Sequence, residues 1–233
     1  MIKVLKTWDE IGKSIIHLQE LGIPIHHQPQ KNWDLYNMLK VIEENIEKSE
    51  AILDIGASGC PVLEALFNRG YSNLYGIDLN FGFREKFNRT ILAALHRRDF
   101  GFFFGFSPIN LKNANLCKTD FPKEKFMAIT SLSVVEHGIF WDDYFKEMSR
   151  LLKPGGYLLT STDFWHEKIN TNGIFICGAP MKIFIPKDIT EGLSIAYKYG
   201  FREISESIPN TKQKCVTCND IQYTFLLFVL QKI

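Results

Sequence analysis

The sequence predicts an α/β protein built on a doubly wound, mostly parallel β-sheet. Short apolar runs alternate with longer segments in which apolar residues recur every three or four positions, which is the pattern of strands separated by helices. Several of the apolar runs end in glycine or aspartate, as buried strands of such sheets do. A chain of 233 residues has the length of one domain of this kind.

These periodicities give the order of the elements. Helical spacing predicts helices over residues 8–21, 32–47, 61–68, about 84–97, 142–152 and 187–199. Asn32 is the expected N-cap of the second helix. Apolar runs predict strands over residues 51–55, 74–77, 126–132, 156–161, 203–208 and 221–230. Because no helix separates the last two strands, we expect a C-terminal hairpin that adds an antiparallel edge to the sheet.

Composition and charge exclude several classes of protein. Lys and Arg total 27 and Asp and Glu 26, and the resulting net charge of +1 argues against a chain that coats nucleic acid. No apolar run reaches the roughly 18–20 residues that span a bilayer. The first residues lack the apolar segment and the cleavage site of a signal peptide, so we expect a cytoplasmic protein without a membrane span.

The cysteines and histidines do not indicate a metal site. Cys215 and Cys218 have the spacing of half a zinc site, but the remaining three cysteines are scattered singly and supply no second pair. His26, His27 and Asp34 lie close in sequence, yet adjacent histidines rarely face one ion. We therefore predict reduced loop cysteines and no bound metal.

Two predicted strands end in residues suited to binding a nucleotide-like ligand. Asp54, Gly56 and Ser58 form the turn after one strand, and Asp78 ends the next. A glycine-rich turn lets the backbone approach a ligand, and an acid after the second strand can accept both hydroxyls of a ribose. The turn lacks a complete G-x-G-x-x-G pattern because Ser58 and Pro61 replace its second and third glycines.

Four segments carry a resemblance to a known family. They are Ile-Leu-Asp-Ile-Gly-Ala-Ser-Gly at 52–59, Leu-Tyr-Gly-Ile-Asp at 74–78, Phe-Met-Ala-Ile-Thr-Ser-Leu-Ser-Val-Val-Glu-His at 126–137 and Leu-Leu-Lys-Pro-Gly-Gly-Tyr-Leu-Leu at 151–159. In order and spacing they resemble the motifs of class I S-adenosylmethionine-dependent methyltransferases of the small-molecule type. The resemblance implies a Rossmann-like sheet of seven strands. Departures are Ser58 and Cys60 at glycine positions and Met127 at an aspartate position.

The same resemblance implies S-adenosyl-L-methionine as the cofactor. Asp54 would hold the first turn, Asp78 would contact the ribose, and Asn115 would accept a hydrogen bond from the adenine. The residues implied in cofactor binding are Asp54, Gly56, Ser58, Asp78, Leu79, Asn115, Leu116 and Ser131. Asp78 as a simple helix N-cap and Asn115 as an ordinary turn residue remain open alternatives.

Candidate catalytic residues follow the next two strands. His137 comes after the strand at 126–132, and Asp163 and His166 come after the strand at 156–161. An acid or an imidazole at this edge could deprotonate an acceptor during direct methyl transfer from the sulfonium. A helix cap at His137, and loop residues without a role at Asp163 and His166, are the alternatives.

The predicted acceptor is a small molecule that is methylated on oxygen. Residues 161–165 and 178–184 resemble methyltransferases associated with sugar and polysaccharide pathways, which implies a sugar-like or carboxylate-bearing acceptor. The motifs typical of amino-group, base C5 and arginine methylation are absent, and the balanced charge disfavours nucleic acid. We divide the chain into a helical cap over residues 1–48 and a methyltransferase domain over 49–233. The Phe-rich segment 100–106 is buried core, an aromatic lid or an exposed patch that meets an apolar acceptor or a partner. The alternative functions are a non-catalytic cofactor-binding subunit and a nucleotide-dependent oxidoreductase.

Overall fold

A computed structural model describes residues 1–59, 61–82, 109–176, 178–202 and 207–233. Five helices are present in these ranges: α1 (Trp8–Glu20), α2 (Lys31–Asn45), α3 (Pro61–Asn68), α4 (Trp141–Leu151) and α5 (Pro186–Lys198). The strands are β1 (Ile2–Val4), β2 (Ile52–Ile55), β3 (Leu74–Asp78), β4 (Ile109–Asn113), β5 (Phe126–Leu132), β6 (Leu152–Phe164), β7 (Phe175–Ile176), β8 (Ala179–Pro180), β9 (Val216–Cys218) and β10 (Ile221–Gln231).

Seven strands form the main sheet in the order β1-β10-β6-β5-β2-β3-β4. Strands β4, β3, β2, β5 and β6 run parallel to one another, whereas β10 is antiparallel to both of its neighbours. The mostly parallel, doubly wound sheet predicted from the alternation is therefore confirmed. Its two faces are covered by separate apolar clusters, one containing α1, α2 and α3 and the other containing α4 and α5.

The C-terminal hairpin is built differently from the prediction. Strand β10 pairs with β9 through the tight turn at Asn219 and Asp220, whose φ angles are 47° and 62°. It does not lie at the edge, because β1 pairs with residues 226–228 on its outer side. Residues 203–206 of the predicted partner strand lie outside the described residues, and Ser207 and Ile208 belong to no strand.

Two local predictions, one at the start of α2 and one at the end of β6, are wrong. Asn32 lies inside the first turn of α2 rather than at its N-cap, and its buried side chain bonds His26 and Pro29 of the preceding loop. Strand β6 extends beyond residue 161, so Asp163 belongs to the strand and not to a loop. The reason is β10, which pairs with β6 as far as Phe164 and supplies the hydrogen bonds that extend it.

Several predicted features cannot be compared with the structure or differ in detail. Three predicted features lie outside the described residues: the helix over about 84–97, the Phe-rich segment 100–106 and Cys60. Cys218 is part of β9 and is therefore not a loop cysteine, whereas Cys215 belongs to no strand and is fully buried in the segment before β9. Among the described helices, none is both long enough and apolar enough to cross a membrane.

Candidate functional site

The turn between β2 and α3 depends on a glycine that tolerates no side chain. Gly56 has a φ of 64°, a left-handed conformation that suits glycine. A Cβ atom at this position would lie 2.4 Å from Cγ2 of Val134 in the segment after β5. The backbone of the turn therefore packs directly against the neighbouring loop at the carboxyl edge of the sheet.

Gly56→Ala should destabilise the protein because it adds a steric clash to an unfavourable backbone angle. We expect a loss of about 2–4 kcal/mol in the free energy of unfolding, measured by urea denaturation. Gly22→Ala is the matched control, since Gly22 has a φ of 68° and a Cβ added there would meet no atom within 4 Å. Equal losses in the two variants would show that the contact with Val134 is unimportant.

The side chain of Asp54 connects β2 to the neighbouring strand β5 by a hydrogen bond. The residue is buried, and its Oδ1 accepts a hydrogen bond from Oγ1 of Thr130 at 2.7 Å. Burial raises the pKa of Asp54 to about 7, and the negative charge of Asp78 adds to the shift. Sequence analysis did not single out Thr130, which fixes the carboxyl that we expected to hold the turn.

Asp78 is held by backbone amides on both of its oxygens. Ser58 N donates to Oδ2 at 3.3 Å, and Asn80 N donates to Oδ1 at 3.2 Å. An ionised carboxylate has further acceptor sites, so a half-buried Asp78 oriented in this way fits the two hydroxyls of a ribose. Leu79 beside it is 75% exposed, an apolar side chain open to contact with a flat ring.

The other three residues implied in cofactor binding are placed less favourably. Oδ1 of Asn115 accepts a hydrogen bond from Cys117 N at 2.9 Å, a turn interaction that uses the atom expected to face adenine. Leu116 is half-buried against the apolar cluster under α4. Ser131 is fully buried and lies opposite Thr160, which bonds Tyr144 of α4. Their contact with the cofactor stays a prediction.

Three buried carboxyls come together at the ends of β5 and β6, near the Gly56 turn that follows β2. Asp34 lies early in α2, Glu136 follows β5, and Asp163 is the penultimate residue of β6. We call Asp34, Glu136 and Asp163 the carboxyl cluster. Strands are about 4.8 Å apart, so the ends of β5 and β6 that carry the cluster lie within about 10 Å of the end of β2, where the Gly56 turn begins.

Burial dominates the electrostatics of the carboxyl cluster. It raises the pKa of Asp34 to about 7 and raises the pKa values of Glu136 and Asp163, which also repel each other. The positive charge of Lys31 opposes the rise at all three groups. Oγ1 of Thr162 donates to Glu136 Oε2 at 3.0 Å. The carboxyls therefore gain and lose protons near neutral pH.

The cluster has unused capacity for hydrogen bonds. Neither oxygen of Asp34 has a partner at hydrogen-bond geometry, and the hydroxyl of the buried Ser161 has none either, although Ser161 lies near enough to Asp34 to oppose the rise of its pKa. Such groups are costly in a folded protein unless a ligand or water satisfies them. Because Ser161 lies on β6 two residues before Asp163, the unsatisfied atoms gather at the same strand end.

The two candidate histidines occupy different environments. His137 is half-buried, and burial together with the charge of Lys31 lowers its pKa, so the ring is neutral at physiological pH. Its Nδ1 is buried without a hydrogen-bond partner. Nε2 of His166 instead accepts a hydrogen bond from Thr211 N at 3.1 Å, which ties it to the segment before β9.

Sequence analysis missed Lys31 and did not connect Asp34 or Glu136 with Asp163. A helical pattern shows which face of α2 is apolar, but it does not show which strand end lies beneath its first turn. Asp34 forms no hydrogen bond with His26 or His27, its neighbours in sequence, and Nδ1 of His26 accepts a hydrogen bond from Gln28 N. In the described ranges, no three His, Cys, Asp or Glu side chains have the arrangement of a metal site.

Comparison with known proteins identifies the family of the segment around the site. A family model described as a methyltransferase domain matches residues 53–160, which contain Asp54, Asp78 and Glu136. A search among curated proteins finds no match to this chain.

Solved structures share the fold at low sequence identity. An S-adenosylmethionine-dependent methyltransferase from Methanosarcina mazei is 20% identical with a TM-score of 0.55, over 83% of this chain and 97% of that one. Geranyl diphosphate C-methyltransferase from Streptomyces coelicolor, solved with S-adenosyl-L-homocysteine, is 16% identical with a TM-score of 0.60, over 91% and 85% of the two chains. A Burkholderia thailandensis 1,6-didemethyltoxoflavin-N1-methyltransferase is 12% identical with a TM-score of 0.56, over 98% and 91%.

The family match, the sheet topology and the geometry of the two turns agree with one another. The Gly56 turn and the carboxylate of Asp78 fit the nucleoside end of S-adenosylmethionine, the cofactor that a methyltransferase domain binds. Residues 53–160 match the methyltransferase-domain family, and the sheet has the Rossmann-like fold of solved S-adenosylmethionine-dependent methyltransferases.

Proposed function

We propose that this protein methylates an oxygen of a small, hydroxyl-bearing acceptor that binds over the carboxyl cluster. The observation that carries the proposal is the position of the cluster, at the carboxyl ends of β5 and β6 and beside the turn after β2. S-adenosylmethionine supplies an electrophilic methyl group when it is bound. The chain's own residues then orient the acceptor and take its proton.

The charge of the site favours one of the two predicted acceptor classes. Three buried carboxyls face one lysine, so an acceptor that carries a carboxylate would meet net repulsion once the cluster is ionised. A sugar-like acceptor presents hydroxyl groups, which donate to carboxyl oxygens such as the unpartnered ones of Asp34. The hydroxylated acceptor therefore fits the site better than the carboxylate-bearing one.

Asp163 is the group that we assign as general base. Its pKa is raised by burial and by Glu136, and a base whose pKa lies near the working pH removes a proton most effectively. Neutral His137 is the second candidate, because its Nδ1 has no partner. We do not assign His166 to the chemistry, since its Nε2 is already bonded to Thr211.

Asp78→Ala tests the cofactor half of the proposal. The substitution removes a charged acceptor from the ribose, and we expect the affinity for S-adenosylhomocysteine to fall by about 10- to 100-fold, or about 1.5–3 kcal/mol, in calorimetry. Asp120→Ala is a suitable control, because Asp120 is an exposed acid that pairs with Lys112. Unchanged affinity in the Asp78 variant would remove Asp78 from the cofactor site.

Transfer of a labelled methyl group to a panel of metabolites tests the acceptor half. The panel should contain matched alcohols, amines, carboxylic acids and carbon nucleophiles, since structural neighbours of this chain methylate carbon or nitrogen. We expect label on hydroxyl oxygen. Label confined to nitrogen or carbon would contradict O-methylation, and cofactor binding without transfer to any compound would favour a non-catalytic subunit.

A further inference from the structure

Lys31 is an unusual lysine because it is held in place by three different elements. It is the first residue of α2, and its side chain is 14% exposed. Its Nζ donates to the hydroxyl of Ser133 after β5, lies 3.9 Å from Oδ2 of Asp34, and lies 4.1 Å from the ring centroid of Phe225 in β10. A surface lysine has none of these constraints, so the position of the ammonium group is specific.

The local physics does not favour a cation at this position for stability alone. The first turn of a helix carries a partial positive charge, which disfavours lysine there. Removing an ammonium group from water also costs free energy, and an apolar side chain of similar length would pack against Phe225. Ser133, its hydrogen-bond partner, has a φ of 53°, a strained angle of the kind that occurs at functional sites.

The charged groups around Lys31 come from every element packed against it. They are His26 of the loop before α2, Asp34 of α2, Glu136 and His137 after β5, Asp163 of β6 and Tyr223 of β10. Lys31 acts electrostatically on the two histidines and the three acids, and Tyr223 interacts with Asp163. One ammonium group therefore lies close to Asp34 and interacts electrostatically with the other two acids of the carboxyl cluster.

We propose that Lys31 is a positioning residue of the acceptor site, whose ammonium group keeps the carboxyl cluster partly ionised and so leaves Asp163 able to accept a proton. The catalytic part of this inference rests on the proposed function, whereas the effect of Lys31 on the carboxyls does not. It also gives the N-terminal segment a direct part in the reaction. The alternative is that Lys31 only anchors α2 to the loop after β5.

Carboxyl titration separates these two roles without an acceptor. Lys31→Met keeps the length of the side chain and removes its charge, and we expect the titration midpoints of the cluster carboxyls to rise by about 1–3 pH units, followed by carbon-13 NMR of labelled Asp and Glu. Lys31→Arg should restore the wild-type midpoints. If Lys31→Met does not yield folded protein, Lys31→Gln takes its place, since it is neutral and keeps a donor for Ser133.

The chain offers a closely matched control on the same helix. Lys40 lies 3.9 Å from Glu44, the same separation as Lys31 from Asp34, but that pair is exposed. Lys40→Met should leave the cluster midpoints unchanged. Ser133→Ala tests the anchoring role, because it removes the hydrogen bond and keeps the charge, so it should shift the midpoints little.

The pH profile of methyl transfer supplies the second measurement. If Lys31 acts through Asp163, the acid limb of the pH–rate profile moves to higher pH in Lys31→Met, by the same interval as the carboxyl midpoints. Midpoints that do not move would overturn the inference. If the carboxyl midpoints move but the acid limb of the rate profile does not, Lys31 has no part in the chemistry. If no acceptor is found, the result counts against the proposed function, and the titration still decides whether Lys31 acts on the carboxyls.

Discussion

Replacing Asp163 by asparagine is expected to cause the largest loss of activity of any substitution at this site. The variant keeps the shape of the side chain but cannot accept the acceptor's proton. A positioned general base contributes about 10²–10⁴-fold to the rate, so methyl transfer should fall by at least about 100-fold. Affinity for S-adenosylhomocysteine, measured by calorimetry, should be nearly unchanged, because Asp78 and the Gly56 turn are not altered.

Two other variants make the Asp163 result specific. Asp9→Asn is the control for loss of a carboxylate, since Asp9 is an exposed partner of Lys13 on α1. His137→Ala distinguishes the second candidate base. If Asp163→Asn methylates at the wild-type rate while His137→Ala does not, the imidazole removes the proton and our assignment of the base is wrong.

The protein is expected to lose stability as the pH rises from mildly acidic to mildly alkaline. Asp34 and Asp54 have folded-state pKa values of about 7, and those of Glu136 and Asp163 are also raised by burial. The folded state therefore binds more protons than the unfolded state above about pH 4, where free carboxyls ionise. The stability that these groups provide is complete below that pH and is lost as the pH rises through about 7.

The expected size of the effect is several degrees in Tm. Each such group changes the free energy of unfolding by up to about 1.4 kcal/mol per pH unit within its window, and about 1 kcal/mol shifts the Tm of a domain of this size by about 2–4 °C. We expect Tm to fall by at least about 5 °C between pH of about 6 and 8. The lowered pKa values of half-buried His26 and His137 act in the opposite direction, mainly below about pH 6.5.

Asp34→Asn identifies the source of this pH dependence. The amide cannot ionise, so the variant should show a shallower fall in Tm with pH and should exceed the wild type in stability near pH of about 8. Asp9→Asn, an exposed and salt-bridged position, should reproduce the wild-type slope. Stability that increases from pH of about 6 to 8 would contradict the raised pKa values of the buried acids.

Most of the fold could be predicted from the sequence because its signals are local. The apolar runs of β2, β3 and β5 and the helical spacing in α1, α3 and α5 each lie within a dozen or so residues. The length of β6 and the place of β10 could not be predicted. Both depend on pairing between distant segments, since Ile2–Val4 covers β10 and β10 in turn extends β6.

The candidate site divides in the same way. Gly56 and Asp78 could be recognised from the sequence because Gly56 directly follows a strand and Asp78 ends one, and the strand ends of a parallel sheet meet at one edge. His166 was singled out on the same reasoning, but its hydrogen bond to Thr211 comes from a segment that strand order does not locate. Position after a strand therefore identifies the edge of the sheet, and the partners of each side chain decide what it does there.

By itself the sequence determined the class of fold, the resemblance of its central segment to methyltransferase domains and the position of the glycine turn after β2, because these depend on short motifs and on periodicity. The tertiary structure alone decided that Lys31 and Asp34 of the N-terminal segment meet Glu136 and Asp163 at the ends of β5 and β6. These residues are up to about 130 positions apart, and their charges acquire common properties only when packing removes them from water. Burial, and not the identity of the residues, brings their pKa values close to neutrality.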